Sequence, residues 1–264
     1  MSDRSPARTR RAGVLDRSTA AAWIARWEIQ QERYAVDREE RFEAIDDVVE
    51  LATARNPRPL VADLGCGPGS LAVRLAGRLP GARVVAADAD PLLLALGRAY
   101  GLNAVEYVDA VIGEPGWVTA LGLDRPLDAV VSSAALHYPQ AEALGAIYRD
   151  LSDALRPGGV LVNGDHMEPG DPAMAAFARA VGRRRAERRA EVEGEDWQSW
   201  WDAAAREPAF AELLAERAER PALADGGDNL LSAADHERLL RAAGFRSVGV
   251  VWRCGPSCVQ VAVR

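Results

Sequence analysis

Few residues in this chain titrate near neutrality without help from their surroundings. There are three histidines in 264 residues, His137, His166 and His236. An unperturbed imidazole titrates near neutrality, so each is a candidate base. His137 follows a buried apolar run, Leu127 to Ser132, within Ala134-Ala135-Leu136-His137-Tyr138. His166 closes another run, Val160 to Asn163, within Gly164-Asp165-His166. As ends of parallel strands, both imidazoles open onto one crevice, which makes them the catalytic candidates. The alternative for His137 and Tyr138 is that they shape the pocket wall. Asp165 is placed to orient His166, to bind a substrate amine, or to cap. His236 falls on a late helix and is expected at the surface, inert. Lysine is absent, which excludes Schiff-base chemistry, a Walker-type phosphate lysine and a Tyr-x-x-x-Lys reductase pair. Three cysteines are too few for a disulfide framework. Cys254 and Cys258 have no companion cluster for zinc, and His137, Asp165 and His166 match no metal-ligand spacing, so no metal is expected.

A second cluster sits at another strand end, Asp63-Leu64-Gly65-Cys66-Gly67-Pro68-Gly69. Glycines after a strand let backbone approach a ligand closely, with no Cβ in the way. A dinucleotide loop reads G-x-G-x-x-G. Here the third glycine comes one residue early, and Ser70 stands where Gly or Ala is wanted. The loop therefore suits a pyrophosphate poorly. A cofactor without phosphate needs room for a sugar and a zwitterionic tail instead.

The elements that position these clusters follow from periodicity. Ser18 to about Arg55 is helical, with Trp23, Trp27, Tyr34, Phe42, Ile45, Val48 and Val49 near three-to-four spacing, and Asn56-Pro57 ends it. Apolar runs at Leu60–Leu64, Ala82–Ala87, Val105–Val108, Leu127–Ser132 and Val160–Asn163 alternate with helices at Ser70–Leu79, from Pro91 to about Tyr100, and at Gln140–Leu155. Arg156-Pro157-Gly158-Gly159 reads as a turn. Between about Glu168 and Ala224 strands give way to helices. A helix at Ser232–Ala243 then precedes Phe245–Arg253 and Cys258–Val263, two β-runs around a short turn, hence antiparallel neighbours. The fold class is α/β, a mostly parallel sheet with helices on both faces, a terminal antiparallel hairpin and a helical lid insertion. The organisation is a loose tail over 1–17, then one domain over 18–264, with a cap helix over 18–55 and the insertion over about 168–224.

Val61-Ala62-Asp63-Leu64-Gly65-Cys66-Gly67-Pro68-Gly69 resembles motif I of the class I (Rossmann-like) S-adenosylmethionine-dependent methyltransferases. Val84-Val85-Ala86-Ala87-Asp88 with Asp90-Pro91 is similar to the next motif. Val108-Asp109-Ala110, the run from Leu127 to Tyr138, and Leu155-Arg156-Pro157-Gly158-Gly159 resemble the motifs that follow. The resemblance implies a seven-stranded sheet, S-adenosylmethionine as cofactor and a small-molecule methyl acceptor. It implies cofactor contacts from Asp63, Gly65, Cys66, Gly67 and Gly69. It further implies Asp88 with Ala89 at the ribose, Asp109 with Ala110 at the adenine, and Ser132. A carboxylate suits two ribose hydroxyls because it accepts two hydrogen bonds at once; Asp90 is the better helix cap before Pro91. Cys66 reads as a small loop residue rather than a nucleophile. The acceptor candidates are Tyr34 on the opening helix, Tyr138, Asp165, and Trp197 and Trp201 of the insertion. For Tyr34 and the tryptophans the alternative is ordinary packing.

The net charge is −7, against a broad nucleic-acid surface. The Arg183, Arg184, Arg185, Arg188, Arg189 run is interleaved with or followed by Glu187, Glu191, Glu193 and Glu195, the pattern of a solvated helix face. No apolar run nears the ~20 residues of a membrane span, and no secretory signal opens the chain. The protein is expected to be cytoplasmic, a monomer or homodimer. Two other readings stay open, a nucleotide-dependent oxidoreductase and a cofactor-binding module without methyl transfer.

Overall fold

The central apolar runs pair into a sheet because they are buried and can satisfy their backbone only against neighbouring strands, while the runs at the two edges are largely exposed. A computed structural model describes residues 15–35, 37–101, 104–189, 195–223 and 227–264. The strands are β1 (Leu60–Leu64), β2 (Arg83–Asp88), β3 (Val105–Asp109), β4 (Leu127–Ser133), β5 (Leu155–His166), β6 (Ser247–Cys254) and β7 (Ser257–Val263). They make a seven-stranded sheet in the order β3-β2-β1-β4-β5-β7-β6. β1 to β5 pair in parallel, and β7 runs antiparallel to both β5 and β6. The order reverses beside β1, which pairs with β2 on one side and β4 on the other. The crevice at the carboxyl ends of these strands is where such a sheet takes its ligand.

Side chains alternate across the sheet with period two. Leu60, Ala62 and Leu64 of β1 join Leu144, Tyr148 and Leu240 on one face. Val61 joins Phe42, Ile45, Leu71 and Leu75 on the other. The helices supplying these residues are α2 (Arg38–Thr53), α3 (Ser70–Arg78), α6 (Ala141–Ala154) and α10 (Ala233–Ala242). Three more, α1 (Arg17–Tyr34), α4 (Pro91–Tyr100) and the short α5 (Trp117–Ala120), complete the layers before the insertion. No helix among the described residues is long and apolar enough to cross a membrane.

Three expectations are corrected. The opening region is two helices, broken at Ala35–Asp37, where Arg38 N–H donates to the Ala35 carbonyl at 2.9 Å. The break is needed because α1 buries Ala20 and Trp23 toward α4, while α2 buries Phe42, Ile45 and Val49 on the sheet. Second, Arg156–Gly159 belongs to β5 rather than to a turn. Gly158 N–H donates to the Arg264 carbonyl and Arg264 N–H to the Gly159 carbonyl, both at 3.0 Å, so the chain terminus extends the ladder. Third, His236 is 1% exposed rather than superficial. Its Nδ1 pairs with the Tyr148 hydroxyl at 2.6 Å, and burial lowers its pKa.

The insertion comprises α7 (Pro172–Arg189), α8 (Trp197–Ala204) and α9 (Ala211–Ala218), with short turns at Pro208–Phe210 and Pro221–Leu223. Its anchor is Trp200, fully buried. The indole meets Trp23 edge-on at 5.4 Å and Trp27 at 5.1 Å, and Phe210 packs on Trp23 at 4.9 Å. Arg26 of α1 also grips Glu195 through two hydrogen bonds of 2.6 and 2.9 Å. Arg183, Arg184 and Arg188 of α7 are exposed, as a solvated helix face requires; Glu191 and Glu193 lie outside the described residues. Trp200→Ala should cost about 3–5 kcal/mol through the cavity left behind, read as a lower denaturation midpoint in urea.

Candidate active site

The glycine loop follows β1 because backbone there must pass where no side chain fits. Gly65 has φ 69°, and a Cβ on it would stand 2.2 Å from the Ala135 Cβ. The loops after β1 and β4 are thus pressed together. At Gly69, φ 94°, a Cβ would stand 2.2 Å from the Tyr107 hydroxyl. The loop is pinned to β2: Gly65 and Cys66 N–H groups donate to the Ala87 carbonyl at 2.8 and 3.1 Å, and Gly67 N–H donates to Asp88 Oδ2 at 2.7 Å. Trp27 of α1 covers the loop, its ring 3.6 Å from where a Gly67 Cβ would be.

Three carboxylates line the strand ends, each in a different electrostatic state. Asp88 accepts Gly67 N–H on one oxygen and Asp90 N–H on the other, at 2.8 Å. Burial pushes its pKa up to about 6, opposed by those backbone bonds. Asp90 accepts Leu92 and Leu93 N–H at 3.0 and 3.2 Å and so serves as the cap of α4. Asp109, in register with Asp88, is held bidentately by Arg220 at 2.5 and 2.6 Å. Asp63 is buried, and its Oδ2 has no hydrogen-bond partner. Burial drives its pKa up to about 7; the Ala72 backbone bond resists this and the Asp88 charge adds to it. Gln30, on the same α1 face as Trp23 and Trp27, is 1% exposed with neither amide atom hydrogen-bonded. Buried polar atoms without partners are rare and mark a place for a ligand or water.

Several sequence-derived residues change meaning. The Ser132 hydroxyl is fully buried and donates to the Leu64 carbonyl at 2.9 Å, so it stitches β4 to β1 rather than facing the crevice. The Cys66 thiol is pushed well above its usual pKa by burial and by Asp88, which suits a loop residue and not a nucleophile. Ala89 presents its carbonyl to Arg220 at 2.6 Å, and Ala110 N–H donates to the Asp88 carbonyl at 3.0 Å. Asp109, Ala110, Glu219 and Arg220 line a cleft of about 390 Å³ at this end of the site.

Asp165 orients His137, not His166. Its oxygens lie 2.9 and 3.1 Å from His137 Nδ1, and one of them accepts the His166 backbone N–H at 2.8 Å. Asp165 is fully buried, with its oxygens turned to His137 and to the His166 backbone N–H. The reason is strand register: Ser133 pairs with Gly164, and Ala134 N–H donates to the Gly164 carbonyl at 2.9 Å, which brings the loop after β4 over the end of β5. Asn229 N–H donates to the His137 carbonyl at 2.7 Å and holds that loop. Burial alone would lower the His137 pKa; the hydrogen bond and charge of Asp165 outweigh it and the net shift is upward. Burial likewise opposes ionisation of Asp165, but His137 and Arg41 hold it below the usual carboxylate range. The His166 pKa is lowered by burial and by Arg41.

Tyr138 is 51% exposed, its ring 4.1 Å from that of His137. The Tyr34 side chain lies outside the described residues. Trp201 packs edge-on against Trp200 at 5.0 Å with Arg217 over its ring, and Trp197 lies 5.9 Å from Trp201. Trp201 thus joins the seam between insertion and α1, while Trp197 is exposed. No group of His, Cys, Asp and Glu among the described residues is arranged for a metal. Arg220 and Gln30 received no role from sequence. An arginine among many, and a glutamine on an amphipathic helix, carry no signal until the fold places them.

The strand order, the loop after β1 and the acids at the ends of β2 and β3 are arranged as in the fold of the class I S-adenosylmethionine-dependent methyltransferases. Residues 61–159 match the family model described as a methyltransferase domain. Among curated relatives, the chain is 34% identical over 138 residues to a trans-aconitate 2-methyltransferase of Azoarcus sp., covering 51% of this chain and 49% of that protein. It is 35% identical over 108 residues to the enzyme of that name from Streptomyces coelicolor, covering 39% of this chain and 33% of that protein. The match thus spans no more than about half the length of these relatives. In fold it is similar to the solved DhpI–SAM–HEP complex, with TM-score 0.53, 22% identity, and 94% and 96% of the two chains covered.

The state of Asp63 yields a pH signature. Its unfolded value is near 3.8 and its folded value about 7. Between them the folded chain holds the extra proton, so this carboxyl's contribution to stability declines as pH rises from about 4 to about 7 and is flat above. Asp63→Asn removes that decline. In ligand-free denaturation, the stability of the variant relative to the native chain should rise across that window and then level off; a constant difference would show that Asp63 is not held protonated.

Proposed function

We propose that this chain transfers the methyl group of S-adenosylmethionine to a small-molecule acceptor. The observation that carries the reading is the buried, partnerless Asp63 carboxyl oxygen beneath the glycine loop. An ammonium bound there, directly or through water, would return it to the carboxylate form. Asp88 supports the same reading. Each of its oxygens accepts one backbone N–H and keeps lone-pair capacity for a ribose hydroxyl. Gly65, Cys66, Gly67 and Gly69 bring backbone against the ligand; Ala89, Asp109 and Ala110 lie at the adenine end. Gln30 offers a donor and an acceptor from the covering helix.

A sulfonium donor supplies an already activated methyl group. The protein's work is then alignment, exclusion of water and, for an O–H or N–H acceptor, removal of a proton. His137 is assigned that last role. Its Nδ1–H donates to Asp165, which fixes the tautomer and leaves the Nε2 lone pair as the base. Tyr138, stacked beside it, borders the acceptor.

A second reading has a specific warrant. The curated relatives carry the name of an enzyme acting on trans-aconitate, an acid, and a carboxylate oxygen needs no base. His137 in its protonated form, beside the buried Arg41, would then hold the acceptor's anion. The two readings predict opposite pH dependence. With a base, kcat/KM rises with pH through the His137 pKa, above the usual imidazole value; with an anion holder it falls through the same point.

Two measurements test the proposal. Asp88→Ala should abolish or strongly weaken S-adenosylhomocysteine binding in calorimetry with the fold intact by circular dichroism; unchanged affinity would remove the ribose assignment. Stabilisation by NADH and not by S-adenosylmethionine would replace the proposal with an oxidoreductase. Release of S-adenosylhomocysteine, followed across a panel of small acids, alcohols and amines, identifies the acceptor. With that acceptor, His137→Ala should lose about 10²–10⁴-fold in kcat if it is the base, and Asp165→Asn should move the pH inflection down.

A further inference from the structure

The helical insertion reaches the cofactor end of the sheet through two arginines at the close of α9. Arg217 Nε donates to Asp90 Oδ2 at 2.6 Å, and its guanidinium lies 4.3 Å over the Trp201 ring. One turn on, Arg220 donates to the Ala89 carbonyl at 2.6 Å and to both oxygens of Asp109. Its Nη2 also donates to Glu216 of α9 at 2.5 Å. One guanidinium therefore joins the end of β2, the end of β3 and the lid.

We propose that Arg220 is a positioning residue for adenine recognition: it sets the plane of the Asp109 carboxylate and couples the insertion to the adenine end of the site. The inference rests on the assignment of S-adenosylmethionine made above. Asp109 ends the edge strand β3 and its side chain is 42% exposed. An unrestrained carboxylate there would sample several rotamers. A bidentate guanidinium fixes both its position and its plane. Two oxygens carry about four acceptor sites, so Asp109 can hold Arg220 and still accept an exocyclic amine. The adjoining cleft lies on the same Asp109–Arg220 pair. The sequence pattern contains the acid but not its partner, which lies 111 residues away.

The test compares binding of S-adenosylhomocysteine and S-inosylhomocysteine, which carries a carbonyl in place of the adenine amine, by calorimetry on the full chain. The native chain should prefer the adenosyl ligand. Arg220→Gln should weaken that ligand roughly 10-fold, the scale of one charge-assisted hydrogen bond, and leave the inosyl ligand nearly unchanged, so discrimination drops. Arg217→Gln, which removes the neighbouring grip on Asp90 without touching Asp109, should keep the native ratio. An equal loss for both ligands in Arg220→Gln would reduce the residue to a structural tie and overturn the proposal. Tighter adenosyl binding would overturn it the other way, by showing that Arg220 competes with adenine. If the native chain bound neither ligand, the cofactor assignment itself would fall, and this inference with it.

Discussion

The Asp88 carboxylate bridges two loops: one oxygen takes the Gly67 N–H at 2.7 Å and the other the Asp90 N–H at 2.8 Å. The first bond shapes the glycine loop, and the second starts the turn into α4. Both loops lie at the crevice, so this one side chain sets its floor. The cost is three acids along the ends of β1, β2 and β3. Like charges gathered at one site cannot all ionise without compensation. Asp109 is compensated by a guanidinium, Asp88 by two backbone N–H groups, and Asp63 by the Ala72 backbone alone, its Oδ2 without a partner. That graded arrangement is what a positively charged, sugar-bearing ligand would complete.

The roof over this floor consists of α1 and the insertion acting as one body. Trp200 is fully buried between them, and Trp27 extends the same aromatic cluster onto the glycine loop. The arginines of α9 extend it onto the ends of β2 and β3. Aromatic packing contributes most of the burial, while the charge-assisted bonds contribute direction. Packing of α1 onto the loop and docking of the insertion onto α1 are therefore mechanically linked.

On the acceptor side the organising pair is His137 and Asp165. Its pKa shifts come from each other: the imidazole is raised by the carboxylate and the carboxylate lowered by the imidazole, against the desolvation both suffer. Arg41, buried nearby, pulls all three groups of the cluster toward lower values. Such a set holds negative charge at modest cost, which gives the acid-acceptor reading its physical footing alongside the base.

Periodicity and punctuation determined the strands, the parallel order, the terminal hairpin and the ligand-binding ends, because these depend on local alternation of apolar residues and on glycine where no side chain fits. Five motifs in order, from Val61–Gly69 to Leu155–Gly159, carried the resemblance to a methyltransferase class. Tertiary structure decided the rest. It broke the opening helix in two, since one straight helix could not bury both Trp23 and Ile45 against different partners. It turned Asp165 from His166 to His137, since register, not adjacency, sets which side chains meet. It buried Ser132, His236 and Gln30, and it delivered Arg220 to Asp109. Each of these depends on which groups are brought together across more than 25 residues of chain, and neither propensity nor spacing encodes a distance of that kind.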